Sequence, residues 1–215
     1  MASDTPEKKP APKRRRTPSY VKNLRGVRNW KEAREWLQWR SIEDVEAMTP
    51  DLAGVPRGKM MPSVKFTTET SLALPNAVFR QTITGDYPEE TDEFQHDPLD
   101  SDLKLMPDLS TLSVVPWETD PTAQVICDIV STSGKPILYT PRNLLRHVMG
   151  LYDAKGWKAV VAPEIEFYLV AQNIDPDYPL QTPKGRSGRS VSGGQGYSIA
   201  GINEFDELVD AIYHF

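Results

Sequence analysis

The chain has 215 residues, 39% of them hydrophobic and 26% charged, with a formal net charge of −5. That is enough apolar material for one large domain or two small ones, which excludes a globally disordered chain, and the negative balance argues against generic nucleic-acid binding. A single cysteine, Cys127, excludes an internal disulfide, and no apolar run has the length of a signal peptide or membrane helix, so a cytoplasmic protein without a membrane partner is expected.

The charge is uneven along the chain. Residues 1–30 hold nine Lys/Arg and two acids, a net of +7, which leaves −12 for residues 31–215. The opening MASDTPEKKPAPKRRRTPSY is polar, basic and proline-rich and cannot bury enough apolar area to offset its ordering entropy. Residues 1–29 therefore read as a disordered basic arm, and the acidic body behind it favours a solvated tail over a phosphate-binding one. Order is expected from Trp30, where Asn29 and Glu32 form a capping-box variant that opens a helix through Arg40. Trp30, Ala33, Trp36 and Leu37 fall on one side of it and Trp39 on the flank, so the cluster is assigned to a core or subunit interface rather than a ligand groove.

Between Ile42 and Val115 the pattern predicts short strands: IEDVEAM, Arg57 to Met61, the segment around Val64 to Leu72, AVFRQTI, DLKLMPD and STLSVVPW. Pro50, Gly54, Pro56, Pro62, Pro75, Gly85 and Pro88 separate them, which implies a small sheet-based domain over residues 30–118. Gly85 to Asp102 is an acid-rich loop whose simplest reading is a solvated face. Beyond Pro116, AQVICDIV reads as a buried strand. Thr140 and Pro141 then open a helix with Leu144, Leu145, Val148, Met149 and Tyr152 on its apolar face, stopped at Gly156. The strand WKAVVAPEIEFYLV follows. This strand, helix, strand order predicts a second domain of α/β character over residues 119–215, including a Pro, Gly, Ser and Arg-rich loop from Tyr178 to Gly196 and a last helix from Asn203. Two strands and two helices cannot cover their own sheet, so a truncated second domain is expected.

The chemistry is concentrated in Trp157 to Val170. A period of two places Ala159, Val161, Pro163, Ile165, Phe167 and Leu169 on one apolar face and Glu164 and Glu166 together on the other. Two carboxylates side by side on so apolar a strand repel each other and require a positive partner, either Arg or Lys from another element or a hard divalent ion with oxygen ligands. Both partners fit E-x-E. The remaining signals are thin: His96, His147 and His214 lack zinc spacing, and neither G-x-G-x-x-G nor a P-loop occurs. The glycines and cations from Lys184 to Gly196 read as a hairpin loop, and Cys127 as a core residue.

Three segments taken together, RGKMMPSVKF (57–66), DSDLKLMPDLSTLSVVPW (100–117) and APEIEFYLV (162–170), resemble the glutamine synthetase family in order and separation. The loop PKGRSGRSVSGGQGYSI and the following NEFDELVDAIYHF are most similar to its γ-glutamylpolyamine synthetase branch. The resemblance implies an α+β chain, with an N-terminal β-grasp-like domain followed by the beginning of a glutamine synthetase type catalytic α/β domain. It implies a ligase that uses ATP as co-substrate and Mg²⁺ or Mn²⁺ to convert glutamate to γ-glutamyl phosphate, which ammonia or an amine then attacks. On this pattern Glu164 and Glu166 match the metal-binding glutamates of the family's E-x-E strand, Asp102 matches the aspartate of its S-D-[LM] segment, and Asp86 matches the loop aspartate associated with ammonium. It also implies a homo-oligomeric ring, a dodecamer, whose active sites are shared between subunits. The family's other metal ligands and its ATP- and glutamate-contacting residues lie past Phe215, so the chain alone is expected to be inactive. The alternative is a non-catalytic subunit or interaction protein that assembles with full-length ligase subunits.

Overall fold

A computed structural model of the chain describes residues 19–87, 101–190 and 196–214; the basic run KKPAPKRRR, most of the acidic loop, and His96 lie outside them. The chain divides into two compact units, Met1–Lys158 and Ala159–Phe215.

The first unit enters through α1 (Ser19–Lys22) and α2 (Trp30–Trp39). Asn29 caps α2 as expected, its side-chain oxygen accepting from the Glu32 N–H at 3.0 Å, while the Glu32 carboxylate accepts from the Arg28 N–H at 2.9 Å rather than from Asn29 itself. Ala33, Trp36 and Leu37 are buried and Trp39 is exposed, so the helical spacing identified the core face. Residues 19–29, assigned above to the arm, are tied down instead. The Arg40 guanidinium lies 4.2 Å from the Trp36 ring centroid and donates to the carbonyls of Val21 and Asn23. Val21 and Val27 are buried, and the Gly26 N–H donates to the Leu112 carbonyl at 2.7 Å. A basic composition hid these few apolar anchors.

Strands β1 (Asp44–Pro50), β2 (Pro56–Pro62), β3 (Leu72–Pro75), β4 (Asp102–Pro107), β5 (Ser113–Val114) and β6 (Thr122–Val130) form one sheet in the order β2-β1-β6-β4-β3, with β5 also paired to β6. The β1–β6 pair is parallel and the others antiparallel. The segment AQVICDIV, expected to open the second domain, is thus the centre of this sheet. It pairs β1 through its first half and β4 through its second, and Ala123, Val125, Cys127 and Ile129 alternate into the core.

Two expected strands are absent because their buried residues do not alternate. Around Val64 the chain forms α3 (Ser63–Thr68), where the hydroxyls of Thr67 and Thr68 donate back to the Val64 carbonyl at 3.1 and 2.9 Å and Phe66 packs 5.1 Å from the Trp30 ring. AVFRQTI is a 3₁₀ turn over Asn76–Arg80, with Asn76 and Phe79 buried three residues apart. α4 (Pro141–Asp153) forms as predicted, but its apolar face is turned outward: Leu145 is 61% exposed, and Asn143 is the buried residue.

In the second unit the segment from Ala159 to Val170 is not a strand, contrary to expectation. Its residues form no ladder with any described segment, and the apolar face predicted for it is largely exposed. Alternation alone does not make a strand; the hydrogen bonds of a neighbour do. Lys184 and Ser190 form the expected hairpin bridge, and α5 (Ile199–Asn203) and α6 (Asp206–His214) follow. The hairpin is fastened to them by Arg186 to Asp206 at 2.7 Å and by the Ser187 N–H to the Glu204 carboxylate at 3.0 Å. No helix among the described residues is long and apolar enough to cross a membrane.

Candidate active site

Asp86 closes a tight turn after the 3₁₀ segment. The Thr82 N–H donates to the Asp86 carbonyl at 2.8 Å and the Gly85 N–H to the Thr82 carbonyl at 3.0 Å, with Gly85 at φ 89°, a left-handed conformation that suits glycine. The Thr84 hydroxyl donates to the Asp86 carboxylate at 2.7 Å, which leaves an exposed, oriented acid.

This turn is connected to a buried ion pair that the sequence did not reveal. Asp51, in the β1–β2 loop, has a fully buried side chain; one oxygen accepts from the Ala53 and Val55 N–H groups at 2.9 Å and the other from Arg57 Nε at 2.8 Å. Arg57 also reaches the Thr82 carbonyl at 3.5 Å. Burial pushes the Asp51 carboxyl up, but the hydrogen bonds from Arg57, Val55 and Ala53 outweigh it and hold it below the usual carboxylate range. A depressed native value makes the stabilisation complete above the unfolded value and removes it as pH falls through the native one. Asp51→Ala should therefore cost about 3 kcal/mol at pH 7 by stranding Arg57 and two N–H donors. Urea denaturation should show that difference shrinking as pH falls below the ordinary aspartate value of about 4.

Asp102 is the first residue of β4, opposite Pro75, and its side chain is exposed. Glu164 and Glu166 lie in the second unit and are also exposed; neither has a hydrogen bond or ion pair among the described residues, so the arginine or lysine partner left open by the sequence is not found there. No group of three or more His, Cys, Asp or Glu is gathered among the described residues. The pair nevertheless fits a hard divalent ion in kind: two free carboxylates of the type that bind Mg²⁺ together with water and substrate phosphate. Cys127 is buried, and burial, reinforced by Asp128, pushes its thiol up to about 12, which excludes it as a nucleophile at neutral pH. His214 is occupied locally, its Nδ1 lying 2.7 Å from the Asp210 carbonyl.

Residues 138–215, which include Glu164 and Glu166, match the family model for the glutamine synthetase catalytic domain. The chain is 33% identical over 146 residues to a glutamate–isopropylamine ligase of Pseudomonas sp, covering 66% of this chain and 32% of the relative. It is 29% identical over 192 residues to γ-glutamylputrescine synthetase of Escherichia coli K12, covering 87% of this chain and 40% of that protein. The chain belongs to the glutamine synthetase family. A glutamine synthetase of Methanococcus maripaludis is 44% identical over 78 residues, 34% of this chain and 17% of its own length. The chain spans at most 40% of the length of each of these glutamine synthetase family relatives.

Proposed function

We propose that the chain is part of an ATP-dependent ligase that activates glutamate as γ-glutamyl phosphate and joins it to an amine. The observation that carries this reading is the catalytic-domain match over residues 138–215, because it contains Glu164 and Glu166, a carboxylate pair with no structural partner among the described residues. Glu164 and Glu166 would hold Mg²⁺ or Mn²⁺, and the ion when bound would neutralise phosphate charge. The two glutamates give a fixed negative anchor on exposed backbone; Asp86, held by Thr84, and Asp102, at the start of β4, would attract the ammonium form of the acceptor. Residues 30–118 would be the family's β-grasp-like small domain, and the whole protein would form a ring of subunits with shared active sites, in the cytoplasm. An amine rather than ammonia is favoured by the substrates in the names of the isopropylamine and putrescine ligases, which align over 66% and 87% of this chain.

The test is phosphate release from ATP by the protein isolated at the length its native source makes. Release should require Mg²⁺ or Mn²⁺, glutamate and an amine together, with a small alkylamine preferred over ammonia. Release indifferent to glutamate would refute the reading. The exposed apolar residues of α4 and of the segment after Ala159 favour a second reading, a non-catalytic subunit assembling with complete ligase subunits. Light scattering of mixed particles that show no glutamate-dependent turnover of their own would support it.

A further inference from the structure

α4 lies in the region matched by the catalytic-domain model, yet it is packed within the first unit, on β1 and β6. The face it turns to the sheet is polar. Arg142 Nε is 2.6 Å from the Asp128 carboxylate and its Nη2 pairs with Asp108. One turn on, Arg146 reaches Asp128 at 2.8 Å and Asp108 at 3.4 Å. Asn143, between them, donates to the carbonyls of Ile129 and Ile137. The apolar residues Leu144, Leu145, Val148 and Leu151 face away, each at least 39% exposed. An amphipathic helix normally docks by its apolar stripe, and this one is inverted.

We propose that α4 is latched to the sheet by charge and undocks as a unit, with the sheet intact, when the latch is screened or its arginines are removed. Two aspartates and two arginines make up the latch, each arginine touching both aspartates. Ser110 holds Asp108 from a third side through its N–H at 3.1 Å and its hydroxyl at 2.6 Å. Lys104 is engaged elsewhere, donating to the Thr132 carbonyl, and the neighbouring Cys127 thiol is neutral. Burial raises the Asp108 carboxyl, but Ser110, Arg142 and Arg146 together bring it below the usual range, so the latch is closed at neutral pH and weakens only as pH falls below the ordinary carboxylate range. Little apolar area is released on undocking, which separates the stability of α4 from that of β6. The latch fastens the start of the family-matched region to a sheet that lies before it in sequence, and gives that attachment a low opening energy. It does not depend on the proposed ligase reading.

Hydrogen exchange of the full chain at pH 7 tests this. Raising NaCl from 0.05 to 1 M, and separately Arg142→Ala with Arg146→Ala, should each speed exchange of the α4 amides about tenfold while the β6 amides stay within about twofold. Arg142→Lys with Arg146→Lys should restore part of the protection. Unchanged α4 exchange across the salt series would mean that apolar packing holds the helix. Equal loss in α4 and β6 under salt would mean that there is no separable element, and either result overturns the proposal. The salt series on the unsubstituted chain decides the matter even if the double alanine variant does not fold.

Discussion

Glu164→Gln combined with Glu166→Gln is expected to lower metal-dependent phosphate release by at least about a thousandfold, because charge neutralisation by a bound ion supplies several kcal/mol to phosphoryl transfer. The same variant should keep its circular dichroism spectrum and melting temperature. Both carboxylates are exposed and bond to no described residue, so the amide isosteres break no contact. Loss of Mn²⁺ binding, followed by electron paramagnetic resonance, should accompany the loss of turnover. Unchanged turnover would remove the metal assignment of the pair, and a fall in melting temperature would show that the glutamates have a structural partner instead.

Gly58→Val should have the largest effect on folding. Gly58 sits opposite Met48 in the β1–β2 ladder, and a Cβ there would lie 1.9 Å from the Ala47 carbonyl oxygen and 2.9 Å from the Met48 Cα. Those are backbone atoms of a paired strand with no rotamer to change, so the hairpin itself must open. A cost of about 4 kcal/mol or more is expected, with a fall in Tm of about 10 °C by calorimetry. Because Asp51 and Arg57 belong to the same hairpin, the variant should also lose their ion pair and the link to the Thr82 turn. A variant melting within about 2 °C of the parent chain would show that β2 pairs in another register.

The fate of particular segments shows which physical signals are local. Asn29 and Glu32 act within one helical turn, and the cap and its helix formed where the residues indicated. Alternation in β6 marked a buried strand correctly because neighbours in the sheet pair along both its edges and its alternate residues enter the core. The same kind of alternation misled from Ala159 to Val170, since pairing depends on a partner that local sequence does not specify. The stripe on α4 was legible but its direction was not: Arg142 and Arg146 meet aspartates from two other elements, and that meeting reverses the helix.

Composition and short-range pattern were thus sufficient for the acidic body, the helix capped by Asn29, the core tryptophan and the buried cysteine, and motif spacing was sufficient for the glutamine synthetase family. Each depends on residue type or on neighbours within a few positions. Folding alone placed β6 at the centre of the first sheet, buried Asp51 against Arg57, tied residues 19–29 to Arg40 and left Glu164 and Glu166 unpaired among the described residues. Each of these depends on contacts between residues distant in the chain, whose electrostatic and packing energies exist only once the backbone has brought them together.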